Sequence, residues 1–178
     1  TSGGLARTGV ARLDGTTGTA VSGFNAQGNG HVTSVVVSGA HVFAGGEFSQ
    51  LGGASRSRLA QVDAVTGVGT TWNPGANGDV EQIGLFGTTL VVAGHYTRIG
   101  STDRLRLAAL DTTRTTDMVL SWNPSLDSSA DLLHVDGAGT VFAGGSFHYF
   151  GAVARQNLAA FDLTAGGLLN WNPGANRS

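Results

Sequence analysis

The chain has 178 residues, a formal net charge of -2, 12% charged residues, 29 Gly and no Cys or Lys. The missing Cys excludes disulfides, thiolate metal sites and a cysteine nucleophile, and the missing Lys excludes Schiff-base chemistry. No basic surplus indicates a nucleic-acid partner, and no apolar run approaches the roughly 20 residues of a membrane helix. Because 40% of the residues are apolar, the composition predicts a folded, glycine-rich domain without a membrane span.

Three landmarks recur along the chain at intervals of about 50 residues. The first is an Arg seven residues before an Asp, which occurs as Arg7 and Asp14, Arg56 and Asp63, Arg104 and Asp111, and Arg155 and Asp162. The second is an Ala-Gly-Gly-x-Phe box at 44–48 and 143–147, shortened by one residue at 93–96. The third is a Trp-Asn-Pro triplet that begins at Trp72, Trp122 and Trp171, with a degenerate copy at Phe24. A period of this length is typical of a propeller blade.

One complete unit shows the predicted elements in chain order. Residues 80–86 and 90–94 predict a first and a second strand, residues 105–111 a third, and residues 118–122 a fourth. Turns rich in Gly, Thr, Ser and Asp separate them, and no segment has the 3.6-residue apolar period of a helix. We expect the paired glycines after the second strand to make a bulge or a bend. The predicted fold class is all-β, a β-propeller of four-stranded antiparallel blades of about 49 residues.

The chain holds about three and a half such blades in one partial propeller. Residues 1–23 supply a half blade, and residues 172–178 begin a further unit. The complete units between them are 24–71, 72–121 and 122–171. Because a ring needs at least four blades, we expect that the chain is a portion of a longer propeller or that it closes by association with another copy.

The recurring Asp and Trp residues predict structural roles. In the turn that begins at Asp63, the carboxylate can accept backbone N–H groups two or three residues further on, and Gly67 can supply a positive φ. The same role is expected for Asp14, Asp111 and Asp162. A calcium site is the less favoured alternative, because each loop offers a single carboxylate. The three Trp side chains are expected to fill the space between neighbouring blades, and exposed, ligand-stacking aromatics are the alternative.

The recurring Arg residues have two interpretations. Bound to a nearby Asp or to backbone carbonyls, each would clasp its own blade; as a ring on one rim, they would bind carboxylates or sulfates. The candidate ligand-binding residues are therefore Arg7, Arg56, Arg104 and Arg155. His148 and Tyr149 are a further candidate, an aromatic binding spot after the Gly-Gly box, with a plain surface loop as the alternative.

Other charged residues carry no clear chemistry in the sequence. Asp127 and Asp131 are interpreted as solvated charges of a polar loop. No spacing typical of metal ligands, catalytic motif or cofactor fingerprint is present. We therefore predict no catalytic residue, no metal site and no cofactor.

Taken together, the Gly-Gly-x-Phe box, the Arg-x-x-Leu-Ala-x-x-Asp run and the Trp-Asn-Pro triplet resemble the bacterial delta-60 β-propeller repeats. The resemblance extends over essentially the whole chain. It implies a secreted or cell-surface propeller within a large multidomain bacterial protein, with no general enzymatic activity and no catalytic residue to carry over. The copy at 24–26, which lacks Trp and Pro, and the shortened box at 93–96 depart from the pattern.

Two classes of function remain. The first is a non-enzymatic extracellular or cell-surface module, which acts as a structural scaffold or binds protein or carbohydrate through rim loops. Its partners would be other domains of a larger protein, another copy of the chain, a cell-surface protein or a glycan. The second is a hydrolase or lyase working at the propeller channel, for which His95, Glu47 and Ser146 share one position in three units. We predict the first class, a secreted or cell-surface protein that is not an enzyme.

Overall fold

The computed structural model describes residues 4–174, and within them the chain is all-β, with no helix. In chain order the strands are β1 (Val32–Ser38), β2 (His41–Gly46), β3 (Gln50–Leu51), β4 (Ala54–Ser55), β5 (Leu59–Asp63), β6 (Val80–Phe86), β7 (Thr89–Gly94), β8 (Arg98–Ile99), β9 (Thr102–Asp103), β10 (Leu107–Asp111), β11 (Ala130–Val135), β12 (Thr140–Gly145), β13 (Tyr149–Phe150), β14 (Val153–Ala154), β15 (Leu158–Asp162) and β16 (Gly167–Leu168). The described residues contain no helix of the length and apolar character that a membrane crossing needs.

Three main sheets follow one another along the chain. The first sheet has the order β1-β2-β5, the second β6-β7-β10 and the third β11-β12-β15-β16. All neighbouring strands are antiparallel. In each sheet the chain leaves the second strand, forms a two-stranded hairpin (β3-β4, β8-β9 or β13-β14) and returns beside the second strand. The prediction of an all-β chain with antiparallel sheets is confirmed.

The first three predicted strands of the second unit are close to those observed. β6 covers 80–86 as predicted, and β7 starts one residue before the predicted 90–94. The third strand begins at Leu107 instead of residue 105. The reason is that Arg106 adopts a φ of 66°, which lies outside the extended region. The two-residue strands of the β8-β9 hairpin were not predicted.

The fourth strand predicted at 118–122 pairs beside β10 as expected but is much shorter than predicted. Only an isolated bridge between Leu110 and Val119 forms there. The carbonyl of Leu120 accepts a hydrogen bond from the guanidinium of Arg104 at 2.8 Å. This carbonyl is therefore bonded to a side chain instead of to a strand partner, and the ladder stays short.

The paired glycines lie opposite a bulge in the neighbouring first strand. The strand register shifts at the second residue of β6, between Val80 and Gln82, and at the same place in β1 and β11. A Cβ atom on Gly94 would collide with the carbonyl oxygen of Asp79, and the last glycine of β2 and of β12 faces a backbone carbonyl in the same way. The predicted bulge therefore lies in the first strand instead of after the second. The glycine of the second strand has no side chain, which leaves space for the bulged backbone.

Neighbouring sheets share apolar cores. The core between the first and second sheets contains Phe43, Leu59, Trp72, Ile83, Leu90, Val92 and Leu110. The core between the second and third contains Val91, Leu107, Leu126, Val141, Phe150 and Phe161. A third core joins the N-terminal residues to the first sheet through Phe24, Ala26, Val42, Ala60 and Val62. Because side chains alternate along a strand, the first and the second sheet each contribute side chains to two of these cores.

Candidate functional site

The four recurring Arg side chains bind backbone carbonyls within their own units. In each, Nη1 donates to the carbonyl of the preceding residue. Nη2 of Arg7 donates to the carbonyls of Val21 and Ser22, and Nη2 of Arg56 donates to the carbonyl of Thr70. Nη2 of Arg104 donates to the carbonyl of Leu120, and Nη2 of Arg155 donates to the carbonyl of Leu169. In every case one of the accepting carbonyls belongs to the residue two positions before the recurring Trp, or two positions before Phe24 in the N-terminal copy. The guanidinium groups therefore clasp the end of each unit, and both of their terminal nitrogens are engaged.

Arg56 is the most buried of the four, with 8% of its surface exposed. Burial lowers the pKa of its guanidinium, which still remains a cation in neutral solution. Within the described residues, the Nε atoms of Arg56, Arg104 and Arg155 are buried without a hydrogen-bond partner. The same atom is unpaired in three units, so this is a shared property of the clasp.

The recurring Asp residues close hairpin turns. Oδ1 of Asp63 accepts the backbone N–H groups of Val65 at 3.0 Å and Thr66 at 2.7 Å, and also the Thr66 hydroxyl at 2.8 Å. These bonds lower the pKa of Asp63, the Thr66 N–H contributing most, and Gly67 has a φ of 78°. Asp14 and Asp162 make the same backbone contacts.

The turn of the second unit differs from the others. Asp111 accepts the N–H group of Thr113 at 2.8 Å and forms an ion pair with Arg114 at 3.0 Å. Its loop has no glycine at the left-handed position, and Asp117 takes a φ of 48° instead. In all four units the Asp carboxylate is therefore engaged by its own turn.

The three Trp side chains lie in different environments. Trp72 is 2% exposed, and its Nε1 donates to the carbonyl of Asp111 in the second sheet at 3.2 Å. Trp122 packs on Phe161 of the third sheet, with 4.2 Å between ring centroids. Trp171 is 44% exposed. The first two rings thus fill the space between sheets, whereas the third keeps an accessible face.

One polar position holds the start of each small hairpin. In the first unit Oδ1 of Asn29 accepts the N–H groups of Ser49 and Gln50, and Nδ2 donates to the Ser49 hydroxyl. In the second unit Asn77 makes the same contacts with Thr97 and Arg98. These contacts are neutral and tie the hairpin to the residues before the first strand.

The third unit carries a charged version of this arrangement. Asp127 replaces the Asn, and its Oδ1 accepts the N–H groups of His148 and Tyr149, each at 2.9 Å. His148 replaces the Ser or Thr, and its Nδ1 lies 3.5 Å from Oδ2 of Asp127. Burial raises the pKa of Asp127, but the N–H groups of Tyr149 and His148 and the nearby imidazole outweigh it, so that the pKa lies below its usual value.

An exposed aromatic ring borders this pair. Tyr149 is 50% exposed and lies opposite Ala154 in the hairpin, whereas Val153 lies opposite the buried Phe150 and belongs to the other face. We call Asp127, His148 and Tyr149 the hairpin site. The sequence interpretation found His148 and Tyr149 but missed Asp127, which it took for a solvated loop charge. The signal that could have found Asp127 is the equivalent Asn in the two preceding units.

The residues suggested for the enzyme alternative are not joined in a catalytic set. Nδ1 of His95 lies 3.3 Å from Glu81, and its Nε2 lies 3.8 Å from Asp131 of the third sheet. Within residues 4–174, no hydrogen bond or ion pair links His95 to Glu47 or Ser146. No group of three or more His, Asp or Glu side chains in this described range is arranged to hold a metal ion.

No protein-family model matches the chain, and no match was found among curated proteins. The likeness to the delta-60 repeats therefore stays a prediction from the sequence.

Proposed function

We propose that the chain is a non-enzymatic β-propeller module, secreted or on the cell surface, that acts as a scaffold and binds carbohydrate through its hairpin site. The propeller part of the proposal is supported by the three successive sheets that share cores. The Trp residues placed between those sheets support it further.

The observation that carries the binding function is the change from Asn to Asp127 and from Ser or Thr to His148 in one unit. The backbone contacts of this position are the same in all three hairpins, so the fold does not require the charge or the imidazole. A repeat position that keeps its structural contacts and gains a carboxylate next to an imidazole and an exposed aromatic ring has a further use.

The chemistry of the hairpin site suits a sugar. The Tyr149 ring offers an apolar face on which a pyranose can stack. Oδ2 of Asp127 can accept, and the His148 imidazole can accept or donate, hydrogen bonds with sugar hydroxyls. The two N–H groups that hold Oδ1 fix the carboxylate before a ligand arrives, which lowers the entropy lost on binding.

A glycan array probed with the 178-residue chain tests this function, followed by calorimetric titration of the glycans that bind. We expect Tyr149→Ala to weaken binding about ten-fold or more, because stacking area is lost. Tyr149→Phe keeps the ring and should stay within about three-fold of the parent. Asp127→Asn is the matched polar variant, since Asn29 and Asn77 show that Asn makes the same hairpin contacts.

Val68→Ala serves as the control, because Val68 is exposed and lies outside the hairpin site. The proposal is wrong if no glycan binds, or if Tyr149→Ala leaves the affinity of every bound glycan unchanged.

A further inference from the structure

A cleft of about 390 Å³ lies between the first and the second sheet. It is placed at the turns that join the first two strands of these sheets, and therefore at the opposite end of β2 from the β3-β4 hairpin. Phe43 and Trp72 form its aromatic wall. The other lining residues are polar or Gly, among them His41, Gln61 and Arg114, and they include no Asp or Glu. The walls of the cleft therefore carry hydrogen-bonding groups and a cation but no carboxylate.

One buried position in the cleft differs from its equivalents in the other sheets. Gln61 is the third residue of β5, where β10 has Ala109 and β15 has Ala160. The carbonyl of each of these residues accepts the N–H group of the residue two positions before the following Trp, at 2.8 to 3.0 Å. The backbone contact is thus the same in all three sheets, and the fold does not require an amide side chain there.

The amide of Gln61 is buried with one of its two polar atoms unsatisfied. Gln61 is 5% exposed, and its Oε1 accepts the hydroxyl of Thr70 at 2.6 Å. Thr70 is itself a polar replacement, since Leu120 and Leu169 hold its place in the other units. Within the described residues the Nε2 atom of Gln61 makes no hydrogen bond. Because a buried donor without a partner is unfavourable, an acceptor oxygen in the cleft would stabilise this arrangement.

The cleft has space because a small residue ends the first strand. Ser38 pairs with His41 at the end of the first hairpin, as Phe86 pairs with Thr89 in the second sheet. The Phe86 ring lies against the turn of the third sheet, where a Cβ atom on Gly139 would be 2.8 Å from it. Ser38 lines the cleft instead, so the boundary between the first and second sheets lacks the ring that packs at the next boundary.

A guanidinium group is available at the open side of the cleft. The Arg114 side chain is 54% exposed, and its Nε atom forms an ion pair with Asp111 at 3.0 Å. Its Nη1 atom lies 3.5 Å from the carbonyl of Asp117, and no described residue accepts a hydrogen bond from Nη2. An exposed ion pair of this kind is weak. The terminal nitrogens of Arg114 are therefore free to bind a carboxylate, the anion that the guanidinium fork fits best.

We propose that the cleft binds a small organic acid. Arg114 holds its carboxylate, and a second oxygen of the ligand accepts a hydrogen bond from Nε2 of Gln61. The volume of the cleft lies within the range of about 300–1,000 Å³ that is typical of small-molecule sites. The proposal is independent of the carbohydrate function, because no residue of the cleft belongs to the hairpin site.

The experiment titrates the 178-residue chain with succinate in isothermal titration calorimetry. The ionic strength is held constant, because salt screens charges at the surface. Succinate is a short dicarboxylate, and succinamide is the matched ligand because it has the same length but no charge. We expect one-to-one binding of succinate and binding of succinamide that is weaker by about ten-fold or more.

Two variants test the groups that hold the ligand. Gln61→Ala should weaken succinate binding about ten-fold, because the buried donor is lost. The fold should tolerate this change, since Ala109 and Ala160 occupy the same place in the other sheets. Arg114→Gln should weaken binding at least as much, because the cation that pairs with the carboxylate is removed.

A third variant and a control test the location. Ser38→Phe should abolish binding, because the new ring fills the cleft in the way that Phe86 packs at the next boundary. Arg98→Gln is the matched control for Arg114→Gln. The Arg98 side chain is 55% exposed and pairs with Asp103 at 2.9 Å, but it lies outside the cleft. Arg98→Gln should bind succinate as the parent does.

Thermal unfolding within about 2 °C of the parent shows that a variant has kept its fold. If Gln61→Ala unfolds earlier, Arg114→Gln and its control carry the test. Absence of saturable succinate binding, or equal binding of succinamide, overturns the proposal. Parent-like affinity in Arg114→Gln, or in a folded Gln61→Ala, also overturns it. Tighter binding of glucose than of succinate, lost in Ser38→Phe, does so as well, because the cleft would then be a site for a neutral sugar.

Discussion

Trp72 and Trp171 take the same place beside the first and the third sheet but lie in different environments. Each ring packs edge-on against a Phe of its own second strand, Phe43 at 5.3 Å and 87°, and Phe142 at 5.6 Å and 88°. Trp72 is 2% exposed because the second sheet lies on its other side, whereas Trp171 is 44% exposed. The comparison shows that each sheet orients the Trp that follows it through contact with a Phe, while the next sheet along the chain is what buries the Trp ring.

The largest expected change in the free energy of unfolding comes from truncating these two Trp side chains. Trp72→Ala should lower the free energy of unfolding by about 3–5 kcal/mol, because it leaves a cavity between two sheets. Trp171→Ala should cost about 1 kcal/mol or less, since a partly exposed ring contributes less buried area. Urea unfolding followed by circular dichroism measures both. Equal losses would contradict the view that the neighbouring sheet provides the stabilisation.

An intermediate effect is expected from the Arg clasps that precede these rings. Arg56→Met should cost roughly 1–3 kcal/mol, because the carbonyl of Thr70 loses its guanidinium donor in a partly buried place. Arg155→Met removes the equivalent bond to Leu169 and should cost less, since the Trp that follows is exposed. The same urea titrations give both values. A larger loss for Arg155→Met than for Arg56→Met would contradict the link between clasp and buried ring.

The smallest expected effect on stability concerns the turn at Asp63, which leads into the residues before Trp72. Hydrogen bonds lower the pKa of Asp63 in the folded chain, the Thr66 N–H first among them. The stabilisation is therefore complete above the unfolded-state pKa of about 4 and is lost as the pH falls through the lower folded-state value. We expect the stability of the parent to fall more steeply below about pH 4 than that of Asp63→Asn.

Urea midpoints at a series of pH values between neutral and strongly acidic measure this difference. Asp103→Asn is the control, because the Asp103 side chain is 80% exposed and lies outside the turn. If Asp63→Asn and the parent lose stability in parallel, the turn does not contribute in the way described.

Much of the fold could be predicted because its determinants are local. The Leu and Val run of β7 and the Asp-to-Gly turn after β5 are each specified within a few residues. The fourth strand was predicted too long because the Arg104 guanidinium binds the Leu120 carbonyl across 16 residues, a contact that no strand pattern reveals. The small hairpins were missed because two-residue strands are too short to show alternation.

The hairpin site was only partly predictable for a similar reason. The adjacency of His148 and Tyr149 is visible in the sequence, but Asp127 acts 21 residues away from its first partner. Its role becomes clear only when the folded hairpins of the three units are compared. The closure of the sheets into a ring and the number of blades stay predictions from the repeat.

The graded burial of the three Trp residues also gives the molecule an optical property. An indole ring emits at longer wavelength, and is quenched more readily by iodide, as water gains access to it. From Trp72 through the partly buried Trp122 to the exposed Trp171, the units carry emitters of three kinds. The intrinsic fluorescence spectrum is therefore a composite in which loosening of the first two sheets shifts the blue component, while the red component reports on the end of the third sheet.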